Sequence, residues 1–248
     1  MKPFSFLKIS ASLLALAAML VTTSAQAETA TVKVEAVSGT ATVNGQPLTK
    51  DSVVKEGDKI ATVGATSKVK LTFADSELNV EPNSEVVLTR LQFEQEKGGK
   101  LKHNTELDLK QGGLIGNVKK ISKSSDYKVK HAQGVAGIRG TAWAVLPNIG
   151  VVCFDGSVVV SMTVNGVALP PVTLGPGQMA AIGANGQLVV LNTPREIVAL
   201  IRDVLSFGED GSLPPALVRD IQITVTAQAG PTRTSSEPAH TTPPPQYD

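Results

Sequence analysis

From residue 29 to residue 60 the chain alternates apolar and polar positions. Val32, Val34 and Ala36 fall on one face and Lys33, Thr40 and Thr42 on the other. A period of two is the signature of half-buried strands. Gly39 interrupts the first run, Asn44-Gly45 between two short apolar runs is a hairpin signal, and Glu56-Gly57-Asp58 supplies the next turn. Val69, Leu71 and Phe73 then alternate with Lys68, Lys70 and Thr72, and Asp75-Ser76-Glu77 closes that strand before Leu78-Asn79-Val80. Glu81-Pro82-Asn83-Ser84 is a further turn leading into Val86-Val87-Leu88. Strands this short and this closely spaced predict an all-β domain, a sandwich or a solenoid-like winding of many strands.

Residues 92–105 are polar around Gly98-Gly99 and read as an exposed connection or a long hairpin tip. Leu107, Leu109, Leu114, Ile115 and Val118 resume the strand pattern. An internal echo, strand then Asn-Gly hairpin then glycine turn, links residues 37–61 with residues 154–180; reuse of common turn chemistry accounts for it equally well. The period changes at Thr193-Pro194-Arg195-Glu196, where Thr193 is placed to cap, Pro194 suits a first helical position and Glu196 completes a capping box. Ile197, Leu200, Ile201, Val204 and Leu205 then recur at helical spacing, and a second helix is expected from Pro214-Pro215 with Leu217, Val218 and Ile221. The apolar face of this helical appendage is expected to pack on the β domain or to receive a partner. From Gln228 onward the chain is rich in Pro, Thr, Ser and Ala and is expected to be disordered. The resulting division is residues 1–27, 28–190, 191–227 and 228–248.

The first of these segments changes the picture most. Lys2 and Lys8 precede an apolar run from Ile9 to Val21, followed by the triplet Ala25-Gln26-Ala27, the pattern of a cleavable signal peptide. The run is shorter than the roughly 20 residues that span a bilayer, so no permanent membrane anchor is expected. Export to the periplasm or the extracellular space follows. Loss of these two lysines moves the net charge from +1 to about −1, which gives no reason to expect nucleic acid as a partner. Cys153 is the only cysteine and lies in the apolar run Val151-Val152-Cys153-Phe154, so it reads as a small buried hydrophobe.

The most specific stretch is Asp126-Tyr127-Lys128-Val129-Lys130-His131-Ala132-Gln133-Gly134-Val135-Ala136-Gly137-Ile138-Arg139-Gly140-Thr141. It resembles the signature of the FecR-like domain, an extended strand, a Gly-Val-Ala segment and then Arg-Gly-Thr. Further matches run in order, from residues 54–62 through Leu114-Ile115-Gly116-Asn117-Val118 to Asp155-Gly156-Ser157-Val158 and Leu174-Gly175-Pro176-Gly177-Gln178, so the resemblance spans residues 30–185. Where the family has Asp-Gly-Ser, this chain has Asp75-Ser76-Glu77. The family's signalling members carry a cytoplasmic anti-sigma segment and a membrane helix ahead of the domain. This sequence is read as having neither, so the resemblance implies the fold and an extracytoplasmic role.

Physically, Gly134, Gly137 and Gly140 permit positive φ or close backbone approach. The Arg139 fork can tie backbone carbonyls or a carboxylate such as Asp155, or serve as a ligand-binding cation. Gly137, Arg139, Gly140 and Thr141 are the signature positions and are expected to be structural. Trp143 is placed either in the core or as a ligand contact, stacking on a sugar.

Catalytic chemistry is sparse. His103 falls in the polar loop and His240 in the tail, which leaves His131, conceivably paired with Cys153, without a nucleophile motif around either. Three scattered histidines and one cysteine give no metal-ligand spacing, and no cofactor is expected. The sequence therefore predicts an exported, non-catalytic interaction or sensing module of the cell envelope. Its partner is an unidentified envelope protein or a glycan; a carbohydrate-binding or structural envelope protein is the competing reading.

Overall fold

The computed structural model describes residues 28–96, 99–118 and 121–205. The expected signal peptide, the expected second helix and the expected disordered tail with His240 fall outside the described residues. Seventeen strands and one helix follow one another in this order: β1 (Glu28–Thr29), β2 (Val32–Val43), β3 (Gln46–Pro47), β4 (Lys59–Phe73), β5 (Ser76–Val80), β6 (Glu85–Gln95), β7 (Leu101–Gln111), β8 (Leu114–Val118), β9 (Asp126–His131), β10 (Gly134–Ile138), β11 (Ala142–Leu146), β12 (Gly150–Cys153), β13 (Val158–Val164), β14 (Val167–Ala168), β15 (Val172–Leu174), β16 (Gln178–Ile182), β17 (Leu188–Asn192) and α1 (Arg195–Leu205).

All strands join one ladder that folds back on itself. The hinge is the pair β2–β4. The start of β4 pairs with β6 through Lys59, Ile60 and Ala61, whereas its end pairs with β5 through residues 69–73. Two limbs leave from there. The first runs β6–β7–β9–β10–β13–β15, and the second runs β5–β8–β11–β12–β16–β17. Every ladder is antiparallel except β7–β9, because the chain crosses to β8 in the second limb before returning.

The turns follow their residues. Asn44 and Gly45 (φ 50° and 81°) and Asn165 and Gly166 (φ 50° and 77°) make the two Asn-Gly hairpins, since two consecutive left-handed residues match the twist of the flanking strands. At Gly39 the β2–β4 register shifts. A Cβ there would sit 2.4 Å from Ser67 Oγ, the atom that accepts the Thr40 N–H. At the departure from the family pattern, the hairpin closes on Ala74-Asp75 with Ala74 itself at φ 49°.

The inward faces of the limbs meet in one core, with Leu71, Leu78, Val80 and Trp143 from one side and Leu107, Val129, Ile138 and Val160 from the other. This is a sandwich. A second cluster lies on the far side of the second limb, where Ile115, Ala144, Val152 and Met179 are covered by Ile197, Leu200, Ile201 and Val204 of α1. The helix thus packs on the β domain. Its start differs from the expected capping box, because Thr193 Oγ1 is buried without a hydrogen-bond partner and the first turn is closed by Val198 N–H to the Pro194 carbonyl.

Of the two readings of the polar stretch 92–105, the structure takes the long hairpin and not the exposed connection. β6 and β7 pair through it as far as Gln95 and Leu101. The deciding factor is alternation. His103, Thr105, Leu107 and Leu109 are all buried while their neighbours are not, so the charged residues occupy only the outer face.

Candidate functional site

The signature residues form the hairpin β9–β10, joined by Ala132-Gln133, with β10 continuing the ladder to β13. Its three glycines answer to different constraints. A side chain at Gly134 would meet Ser161 O at 2.0 Å, and Gly140 turns the chain at φ 68°. Gly137 has neither restriction, its nearest obstacle being Val159 O at 3.6 Å. At the turn after β10, a Cβ on Gly156 would meet Gly140 O at 2.6 Å, so the two glycines permit one close crossing.

Arg139 is exposed and donates through Nη1 to the Ser125 carbonyl at 2.8 Å. Its own N–H bonds Ser157 O at 3.1 Å. The side chain therefore ties the segment before β9 to the end of β10. Asp155, the carboxylate offered to it by the sequence, instead accepts from Gly156 N at 2.8 Å. Thr141 is buried, and its carbonyl receives Val118 N, which carries β8 onto the start of β11.

Trp143 presents no face to a ligand: it is 0% exposed. β11 directs it inward over β8, where Gly116 leaves the space for the indole. A Cβ on Gly116 would lie 2.4 Å from Trp143 Cζ2. The indole meets Tyr127 edge-on at 6.3 Å, and Tyr127 lies 6.1 Å from His103. Burial holds the Tyr127 phenol well above its usual range, so it stays protonated. His103 is buried and closes the column, with ring Nε2 2.6 Å from Asp75 Oδ1 and its backbone N–H donating to Ser125 Oγ at 3.0 Å. Both this pair and Arg139 thus use Ser125, one through the hydroxyl and one through the carbonyl. The sequence reading placed His103 in an exposed loop. The signal that would have placed it in the core is its phase, two residues from Thr105 and four from Leu107.

Cys153 and His131 form no catalytic pair. Cys153 Sγ approaches the Thr141 hydroxyl at 3.8 Å and the Asp155 carbonyl at 3.5 Å, and burial pushes its thiol up, away from reactivity. His131 Nε2 has no hydrogen-bond partner, and burial lowers its pKa so that it is neutral. Among the described residues no group of three or more His, Cys, Asp or Glu is placed to hold a metal ion. No described helix is long and apolar enough to cross a membrane.

One carboxylate stands out. Glu81, at the end of β5 on the side away from the central core, has a side chain only 4% exposed, with Lys68 Nζ at 3.4 Å. Burial outweighs the lysine and pushes its pKa up to about 7.

Against known proteins, residues 58–159 match the family described as FecR protein. A search of curated proteins returned no significant match. Two crystal structures of a protein from Parabacteroides distasonis described as an anti-sigma factor are similar at 15% identity, with TM-scores of 0.43 and 0.44. Each aligns over 57% of this chain, which spans 62% and 63% of theirs, under two thirds of their length. The family match is narrower than residues 30–185, yet β2 pairs with β4 and β16 with β12, so the flanks complete the same ladder. From the Asp58 turn to Val159 in β13, with the Arg139-Gly140-Thr141 signature inside it, the chain carries a FecR-family segment.

Proposed function

We propose that this protein is exported and that its β sandwich is a non-catalytic interaction or sensing module of the cell envelope, acting through contact with another envelope protein. The observation that carries this reading is the FecR match over residues 58–159. Support for export comes from the basic, apolar and Ala25-Gln26-Ala27 pattern of the first 27 residues. The same reading divides the chain into a removed segment 1–27, a domain 28–190, a helical appendage 191–227 and a tail 228–248. Whether it works in the periplasm or outside the cell is read by fractionation. N-terminal sequencing of the exported form should begin at Glu28.

The competing reading, a carbohydrate-binding or structural envelope protein, would be favoured by a surface groove lined by Trp143, Tyr127 or Phe154. Trp143 and Tyr127 are inside the core, and Phe154 lies under Arg202, 5.9 Å from its ring centre. The test is capture: the immobilised protein is exposed to envelope extract, and retained material is identified. Reproducible, saturable retention of one envelope protein supports the interaction reading; retention of polysaccharide alone, or of nothing, overturns it.

A further inference from the structure

Between Asp155 and Arg195 the chain holds no charged residue, although it is 18% charged overall. This stretch folds into β13 to β17, which end both limbs, so the strands of one flank of the sandwich carry no charge. Two large apolar side chains are exposed there, Val167 at 64% and Val190 at 40%. Depletion of charge marks the centre of a protein–protein contact, not a surface kept in water.

A sheet edge presents a row of N–H and C=O groups that pairs with another chain unless the edge is blunted by charge, proline, a bulge or shortness. β15 is three residues long and follows Pro170-Pro171, which have no N–H to offer. β2 carries Lys33 and Glu35, and its register shifts twice. β17 has none of these devices. Leu188-Val189-Val190-Leu191-Asn192 contains no charge, proline or glycine, and among the described residues it pairs with β16 alone, in register over all five positions. Its polar groups sort by alternation. Gln187 O accepts Gly183 N–H at 2.9 Å and Thr193 N–H donates to Gly177 O at 2.8 Å, both toward the β16 side. Val189 and Leu191 share that direction, so Leu188, Val190 and Asn192 turn their N–H and C=O to the open edge.

We infer that this edge pairs with β17 of a second copy of the chain, antiparallel about a two-fold axis at Val190, so that two sandwiches share one continuous sheet. The three outward residues are spaced evenly about Val190. In this register Val190 meets Val190 of the partner subunit and Leu188 meets Asn192 of the partner subunit, so all their outward N–H and C=O groups are satisfied at once. A two-fold contact sets residues at the axis against their own copies, so a charge there would repel itself; β17 and its flanks from Gly156 to Pro194 have none. The two exposed Val190 side chains lose water against each other. Five residues a side make a contact below the roughly 1,200 Å² of stable interfaces, so the dimer is weak, with a Kd on the order of 10–100 µM. This association goes beyond the envelope-partner reading and leaves the charged outer face of the first limb free for that contact.

The test is sedimentation equilibrium of the exported full chain, at concentrations from well below to well above that Kd. The mass should rise from one copy to two. Val190→Lys sets two like charges at the axis and should weaken association about tenfold or more, as should Val190→Glu, whereas an equimolar mixture of the two variants associates again because lysine then faces glutamate. Val190 is exposed, so both variants keep the fold, which their melting temperatures check. Hydrogen-bonded antiparallel pairs stand about 5.5 Å apart at Cα, within reach of a disulfide. Val190→Cys should therefore oxidise to a covalent dimer, and Thr173→Cys, equally exposed on β15, should not. A single copy at every concentration, a dimer indifferent to Val190→Lys, lysine and glutamate variants that stay apart when mixed, or equal crosslinking through Thr173→Cys would overturn the inference. A chain that stays single yet captures an envelope protein through β17, losing it in Val190→Lys, would also refute the second copy while leaving the interaction reading standing.

Discussion

The two limbs of the sandwich share one core but differ on their outer faces. On the first limb, β7 and β9 present Glu106, Asp108, Lys128 and Lys130 to water, with Lys130 Nζ 2.7 Å from Glu106 Oε1 and Lys128 Nζ 2.7 Å from Asp126 Oδ2. On the second limb every residue of β11 is buried, and β12 and β16 are nearly so, because α1 covers them. Strict alternation produces a face that water can cover. Unbroken apolar strands leave two faces to bury, and the chain supplies a helix for the second. At the boundary between these regimes, beside the helix-covered ground, sit Lys68, Glu81 and Asn79, charged or polar yet shielded.

The comparison can be broken most severely at the helix. Ile201→Asp would place a charge at a position that is 0% exposed, and should destabilise by about 4 kcal/mol in urea unfolding. A change under 1 kcal/mol would show that α1 is not holding the second cluster.

Next comes Glu81. Its folded pKa lies above the ordinary 4.5, so its contribution to stability is fully present below pH 4.5 and is lost as pH rises through about 7. The loss amounts to up to about 3 kcal/mol. Subtracting the Glu81→Gln profile from that of wild type isolates this group from His131, whose lowered pKa acts in the opposite sense, removing stability as pH falls. Parallel profiles would refute the shielding of Glu81.

Gly116→Ala should cost about 2 kcal/mol by forcing the Trp143 indole to move, with a change in tryptophan fluorescence. Arg139→Ala removes one bond from an exposed side chain and should cost about 1 kcal/mol, less than a buried clamp would. Smallest of all, Lys130→Ala on the first limb should leave the melting temperature unchanged within error, because an exposed pair in a charged ladder contributes little. A clear drop there would mean that this face is covered by something in solution.

Much of this was legible along the chain, for local reasons. Alternation at Val69, Leu71 and Phe73 and at Leu107 and Leu109 states which face turns inward, and Asn44-Gly45 and Asn165-Gly166 state where the chain reverses. The helical spacing from Ile197 to Val204 carries its own buried stripe. The signature was legible as a pattern, but its roles were not. Gly134, Gly137 and Gly140 look alike in sequence, and only the approach of Ser161 O to one of them separates close contact from free choice.

The sequence by itself determined the all-β class, the hairpins, the amphipathic helix and the FecR resemblance, because each depends on residues a few positions apart. The tertiary structure alone decided that His103 is buried against Asp75, that Trp143 rests on Gly116, and that Glu81 loses its water beside Lys68. These depend on which strands become neighbours across 28, 27 and 13 residues of chain respectively. Burial and pairing are properties of that arrangement, and no local pattern encodes it.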